Sequence, residues 1–227
     1  MRKKLFVLPM VLLLLVSAWS LIISVPASDP TLSEHVIIIV LDGCRRDKLD
    51  LAVTPHIDHL IKKGVVATEC HTILPSMTVG THTSVVTGAY AETHGIVAEY
   101  YYNWSIPGEV EVAGRSELVE AMTIYELIET DYSNLVTALI VGKDKLSMMT
   151  GDAEIDVEIL ASDYIPEEID ALKYTYADPK SGSVQKAFRA KLTMNRLTMD
   201  QVLNVMREDA PNLLIVNMPA IDYVGHV

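Results

Sequence analysis

Apolar residues in this chain gather in short unbroken runs, separated by stretches with helical spacing. Val36–Leu41 reads Val-Ile-Ile-Ile-Val-Leu. A continuous β-branched run predicts a central strand buried on both faces, because a half-solvated strand alternates apolar with polar. Runs at Val65–Cys70, Leu135–Val141 and Leu213–Val216 predict three further strands. Thr54-Pro55 opens a helix with proline in its first turn, Ile57, Leu60 and Ile61 form the apolar stripe, and Gly64 stops it. A second helix starts at Thr78 and is closed by Gly88, a short amphipathic one covers Met122–Thr130, and a third covers Leu197–Arg207. Strands alternating with helices predict an α/β protein with a largely parallel sheet. Residues 147 to about 190 are acidic and weakly periodic, and read as an insertion or cap with a small strand around Asp156–Leu160.

The first residues stand apart from this pattern. Arg2, Lys3 and Lys4 precede an apolar run, Leu5–Val25, broken only by Pro9, Ser17, Ser20 and Ser24. As a helix this run spans roughly 31 Å, close to a bilayer core. The basic cluster stays cytoplasmic and the chain after Val25 is exported. Val25-Pro26-Ala27 also has the small-residue character of a cleavage site. Residues 1–27 therefore read as a signal peptide or N-terminal membrane anchor, and residues 28–227 as an extracytoplasmic domain, anchored or secreted. Asn103-Trp104-Ser105 fits a glycosylation sequon on that side.

Composition narrows the function. The 227 residues carry a formal net charge of -12, which disfavours nucleic-acid duplexes, whose phosphates reward clustered Lys and Arg. A small phosphorylated substrate remains compatible, because bound cations dominate a local field. Cys44 and Cys70 are too few for a disulfide framework and read as buried thiols.

Three sets of reactive side chains fall just past apolar runs: Asp42, Thr78, and the pair Asp222 and His226. Ligands of open α/β sheets gather at the carboxyl edge of the strands. Carboxylate, hydroxyl and imidazole together suit Zn²⁺ or a similar divalent ion. A metal on Thr78 lowers its hydroxyl pKa, which turns a poor nucleophile into a usable one. Each residue also has a plainer reading: an Asp-Gly turn, a helix cap, a chance Asp/His spacing. Their order, each after a strand, is what favours chemistry.

Val-Leu-Asp42-Gly, Thr54-Pro-His-Ile-Asp58-His-Leu, Pro75-Ser-Met-Thr78, Val-Thr-Gly88, Thr-His94-Gly95-Ile and Asp222-Tyr-Val-Gly-His226 together resemble the type I phosphodiesterase/nucleotide pyrophosphatase family of the alkaline phosphatase superfamily. The resemblance implies an alkaline-phosphatase-like, largely parallel sheet flanked by helices. It implies two zinc ions, with Mn²⁺ or Mg²⁺ as alternatives. Asp42 and Thr78 ligate one, Asp222 and His226 the other, and Thr78 attacks phosphorus to give a phospho-threonine intermediate. The family commonly has Pro-Asn-His after the nucleophile; here Gly80-Thr81-His82 stands there, so Thr81 takes the role of holding a phosphoryl oxygen. Gly142-Lys143-Asp144-Lys145-Leu146 resembles a loop of phosphonoacetate hydrolases in which lysines hold the substrate carboxylate, against a plainer reading as a solvated charge cluster. His94 reads as a loop-fixing residue and His82 as a packing residue.

The family's further Asp-His pair and final His have no counterpart after His226. The fold is therefore expected to be incomplete at its C-terminal end. Each metal has two protein ligands where catalytic zinc usually has three. The expectation is a truncated enzyme that, made alone, binds zinc weakly and turns over poorly. The alternatives are a phosphonoacetate-hydrolase-like or phosphomonoesterase member, or a catalytically incompetent binding domain.

Overall fold

The computed structural model describes residues 33–102, 110–112, 114–173 and 183–226. The chain divides into two units, Met1–Glu34 and His35–Val227, and the sheet and its helices belong to the second. The apolar run at Leu5–Val25 and the Asn103 sequon lie outside the described residues. No helix among the described residues is long and apolar enough to cross a membrane.

In chain order the elements are β1 (Val36–Leu41), α1 (Arg46–Leu49), α2 (Pro55–Lys63), α3 (Thr78–Thr87), α4 (Ala91–His94), β2 (Tyr100–Tyr102), β3 (Val110–Val112), α5 (Ile124–Asp131), β4 (Thr137–Val141), β5 (Val157–Ile159), α6 (Ala161–Tyr164), α7 (Glu167–Asp170), α8 (Ser183–Glu208), β6 (Leu213–Met218) and α9 (Ala220–Gly225). Four strands form a parallel sheet in the order β1-β6-β4-β5, and β2 and β3 form a separate antiparallel pair. This is the expected α/β class.

The buried strands separate two packed faces by their period of two. Leu139, Val141, Leu213 and Ile215 join Val79 and Val86 of α3, Tyr125 of α5 and Met148 and Met149 in one core. Ala138, Ile140, Leu214 and Val216 join Val202 and Val205 of α8 in the other. Each fully buried Leu, Ile or Val contributes about 1.5–3 kcal/mol of transfer free energy. The helices covering both faces of β4 and β6 are thus what holds these strands in place. Thr123 caps α5 in a reciprocal box, its side chain accepting from the Glu126 N–H while the Glu126 carboxylate accepts from the Thr123 N–H.

Several local expectations change. β1 is an edge strand of the described sheet, not a central one, and Val36, Ile37 and Ile39 are exposed. Val65–Cys70 forms no strand. Thr68 and Glu69 interrupt its apolar character, and the segment runs along the surface with Cys70 exposed and Cys44 half-buried, both as free thiols. Within the 147–190 stretch, Val157–Ile159 pairs with β4 and extends the main sheet. The helix expected at Leu197–Arg207 begins at Ser183.

Candidate active site

Strand register brings distant residues to one edge. Leu41 of β1 lies opposite Met218 of β6, and Val141 of β4 lies opposite Asn217. The chain leaving β1 at Asp42 and the chain leaving β4 at Gly142 therefore flank the end of β6. The Asp42 N–H donates to the Met218 carbonyl at 3.2 Å, and the Gly142 N–H to the Asn217 carbonyl at 3.2 Å. After Met218 the chain turns into α9, which carries Asp222.

Gly43 makes the meeting of Asp42 and Asp222 possible. Its φ is 68°, and a Cβ there would lie 2.7 Å from the Asp222 Cα. Gly43→Ala is expected to lower stability by about 1–3 kcal/mol, since it combines a left-handed backbone with overpacking against main chain. Equilibrium urea unfolding checks this, and an unchanged midpoint would contradict it.

One buried positive charge sits at the centre. Lys143 Nζ lies 2.7 Å from Asp42 Oδ2 and 2.5 Å from Asp222 Oδ2, and it donates toward Thr78 Oγ at 3.5 Å. The Lys143 side chain is 4% exposed, that of Asp42 10% and that of Asp222 17%. A buried ammonium persists only when paired. Burial alone would lower the Lys143 pKa; the Asp42 and Asp222 carboxylates outweigh it and hold the pKa above its ordinary value. The Tyr223 ring lies under the same ammonium, 5.0 Å from its centroid.

A neutral relay ties α3 to this centre. Thr78 is the first residue of α3, after Met77 as N-cap. His82, one turn on, donates from Nδ1 to the Thr78 carbonyl at 2.7 Å, and its Nε2 accepts from Asn217 Nδ2 at 3.1 Å. The same amide group donates to Asp42 Oδ2 at 3.3 Å. Burial lowers the His82 pKa, matching a ring whose Nε2 is an acceptor. Asn217 is 1% exposed and its Oδ1 has no hydrogen-bond partner, a buried acceptor left open on the residue that ties Asp42 to His82.

His94 plays a different part. Its Nδ1 accepts from the Ile96 N–H at 3.1 Å, so Nε2 carries the hydrogen and donates to Ser84 Oγ at 2.9 Å. In that tautomer it is no base for Ser84; it fixes the loop after α4. Burial lowers its pKa as well. Both imidazoles thus take up protons at lower pH in the folded chain than in the unfolded one, where the ordinary value is 6.5. Below that value the unfolded chain binds more protons, so stability falls as pH drops and rises as pH climbs toward neutrality. The urea midpoint is expected to be lower at pH 5 than at pH 7.5; an equal midpoint would count against it.

The residues singled out from sequence are not all brought together. Asp42, Thr78 and Asp222 converge on Lys143. His226 stands at the rim, with its side chain 63% exposed and Nε2 3.4 Å from Asp222 Oδ1, the oxygen facing away from Lys143's contact. Thr81 is half-buried, and its Oγ lies 3.5 Å from Thr72 Oγ. Lys145 pairs with Glu99. Lys143, expected on a substrate carboxylate, lies on the protein's own carboxylates instead, because an unpaired ammonium would not stay buried there. Both lysines line a cleft of ≈ 420 Å³ with Ser162, Glu167, Asp170 and Tyr223.

No group of three or more His, Cys, Asp or Glu among the described residues is placed to hold a metal. The donor chemistry nevertheless fits a cation: two carboxylates and a hydroxyl already surround one positive charge. Asn217 was not anticipated, although one polar residue inside the apolar run Leu-Leu-Ile-Val-Asn-Met is a readable signal.

Comparison with known proteins decides the family. The model of the family described as type I phosphodiesterase / nucleotide pyrophosphatase matches residues 36–227. The chain belongs to this family. It is 36% identical over 76 residues to the Homo sapiens bis(5'-adenosyl)-triphosphatase ENPP4, a match covering 34% of this chain and 17% of that protein. It is 27% identical over 191 residues to an uncharacterized pyrophosphatase/phosphodiesterase of Schizosaccharomyces pombe, covering 84% of this chain and 35% of the relative. Among solved structures, phosphonoacetate hydrolase from Sinorhizobium meliloti, in complex with phosphonoacetate, superposes with a TM-score of 0.59 at 20% identity, over 86% of this chain and 48% of that one. An inactive threonine-to-alanine variant of murine ectonucleotide pyrophosphatase/phosphodiesterase 5, in complex with AMP, gives 0.55 at 20% identity, over 85% and 45%. The chain thus spans less than half the length of each of these relatives, and its fold is that of the phosphodiesterase family.

Proposed function

We propose that this chain carries the nucleophile edge of a zinc-dependent hydrolase of phosphodiester or nucleotide pyrophosphate bonds, with Thr78 as the attacking residue. The observation that carries this reading is the convergence of Asp42 Oδ2, Asp222 Oδ2 and Thr78 Oγ on one buried positive position at the carboxyl edge of the sheet. Oxygen donors of this kind suit Zn²⁺, Mn²⁺ or Mg²⁺. Asp42 and Thr78 would serve one ion, and Asp222 with the neighbouring His226 imidazole a second. Bound there, the ions supply the positive charge that lowers the pKa of a threonine hydroxyl and balances phosphoryl oxygens.

The chain's own residues do the positioning. The start of α3 turns its unpaired first-turn N–H groups and positive dipole end toward an incoming phosphate. Thr78 Oγ forms a bond to phosphorus as the bond from phosphorus to the leaving nucleotide or alcohol breaks, and water then cleaves the phospho-threonine ester. His82 and Asn217 hold the Thr78 backbone and the Asp42 carboxylate in fixed relation during both steps. Thr81, one turn after the nucleophile, donates to a phosphoryl oxygen. Residues 1–27 export the domain or anchor it, placing the site outside the cytoplasm.

A nucleotide as substrate is supported by the named activity of the human relative and by the AMP held in the murine neighbour. The cleft lined by Lys143 and Lys145 supports a second reading, hydrolysis of a phosphonate that carries a carboxylate. Initial rates of the Zn²⁺-supplemented full chain on an aryl nucleotide phosphodiester, an aryl phosphomonoester and phosphonoacetate separate the two. Fastest turnover of the diester, abolished by EDTA, is expected. Fastest turnover of phosphonoacetate would establish the second reading, and turnover unaffected by EDTA would overturn metal dependence.

A further inference from the structure

Resting on the proposed site, we infer that Glu99 is a specificity-determining residue. It holds Lys145 back from the substrate, and so disfavours a phosphorus compound that brings a carboxylate into the cleft. Lys145 lines the ≈ 420 Å³ cleft beside Lys143 and Tyr223, and an ammonium placed there is the natural partner of a substrate carboxylate. Its Nζ is already engaged. It donates to Glu99 Oε1, and neither side chain is well solvated, Lys145 being 25% exposed and Glu99 21%. Neither residue is among the proposed metal ligands, so the pair does not depend on how that site is filled.

Lys145 is gripped from both ends of the β2–β3 pair. Glu99 immediately precedes β2, and Gly114 follows shortly after β3. A Cβ at Gly114 would lie 2.8 Å from the Lys145 carbonyl oxygen and 3.4 Å from the Lys145 Cβ, so the returning chain packs directly on the lysine's main chain. The ammonium and the backbone of Lys145 are thus fixed by neighbouring segments. A carboxylate built into the chain competes at a high effective concentration, which a freely diffusing one must overcome. The rest of the wall gives a substrate carboxylate little to bind. Asp170 pairs with Lys173 at 2.7 Å, and Asp144 and Glu167 line the same cleft with like charge. An uncharged departing nucleoside or alcohol meets neither obstacle. Discrimination here works by disfavouring the carboxylated phosphonate, with no added contact to the diester.

The test uses the full 227-residue chain in Zn²⁺ and two probes, phosphonoacetate and methylphosphonate, which differ by the carboxylate. Calorimetry reads each affinity without requiring turnover. Glu99→Gln is expected to bind phosphonoacetate about ten-fold tighter or more than wild type, the scale of one freed charge-assisted hydrogen bond, and methylphosphonate equally. Glu99→Asp, which keeps the charge, should show no gain. Adding Lys145→Gln to Glu99→Gln should abolish the gain, which assigns it to the freed ammonium. Glu99→Ala carries the same expectation as Glu99→Gln and decides should that variant not fold. A purely structural role would shift both phosphonates together. That result, no gain at all, or a gain that survives the loss of Lys145 overturns the role of Glu99 and leaves the proposed site standing. Binding of neither phosphonate by any of these proteins removes the reading of the site, and the inference with it.

Discussion

Thr78→Ala is expected to cut hydrolysis of a nucleotide aryl phosphodiester by the Zn²⁺-supplemented chain by about 10³-fold or more, with the fold intact. The size follows from removing the atom that bonds to phosphorus, since loss of a nucleophile leaves only binding and charge stabilisation. Intact folding follows from the position. Thr78 is the first residue of α3, Met77 is the cap, and the Thr78 hydroxyl is engaged only by the long 3.5 Å approach of Lys143. Alanine is the better helix former there, so the urea midpoint should move by no more than the equivalent of about 0.5 kcal/mol. Thr78→Ser keeps the hydroxyl and should keep measurable turnover. An alanine variant retaining more than a tenth of the wild-type rate would rule out Thr78 as nucleophile.

Asp42→Asn has the largest expected effect on stability. It keeps the shape of the side chain and removes the charge 2.7 Å from Lys143 Nζ, leaving a buried ammonium with Asp222 alone. It also disturbs the amide group of Asn217, which donates to the same oxygen at 3.3 Å. In EDTA the chain is expected to lose about 1.5–3 kcal/mol, the range for a hydrogen bond to a charged group. This is below the roughly 3–5 kcal/mol seen when a buried charge is left wholly unpaired. Combining Asp42→Asn with Lys143→Met should cost less than the sum of the two single changes, because the second removes the charge that the first orphans. Urea unfolding of the four proteins forms the cycle. Strict additivity would mean that the pair does not interact as its geometry requires.

Sequence pattern reached the class of fold because β4 and β6 are buried on both faces, and an unbroken run is what such strands require. The same logic misplaced β1. Its Val-Ile-Ile-Ile-Val-Leu is as apolar as a central strand, yet β6 pairs with it on one side only; composition records that a strand is apolar, not what lies beside it. Asp42, Thr78 and Asp222 were legible because each follows a strand or opens a helix within a recognisable motif. Asn217 and the placement of Lys143 were not. Asn217 meets Asp42 across 175 positions of sequence, and only the strand order, with β6 inserted between β1 and β4, makes them neighbours. Lys143 belongs to a motif that suggested a substrate contact. What decides its present partner is that the carboxyl ends of β1 and β4 flank β6, so a side chain leaving β4 meets both acids at that edge.

The central claim is that Thr78 carries the phosphorus during turnover. Mass spectrometry of the full chain, quenched in acid while it hydrolyses a nucleotide aryl phosphodiester in Zn²⁺, tests this most directly. The expected result is a nucleotidyl ester on Thr78, absent from Thr78→Ala. Turnover with the ester on another residue or on none, or no turnover at all, would contradict it.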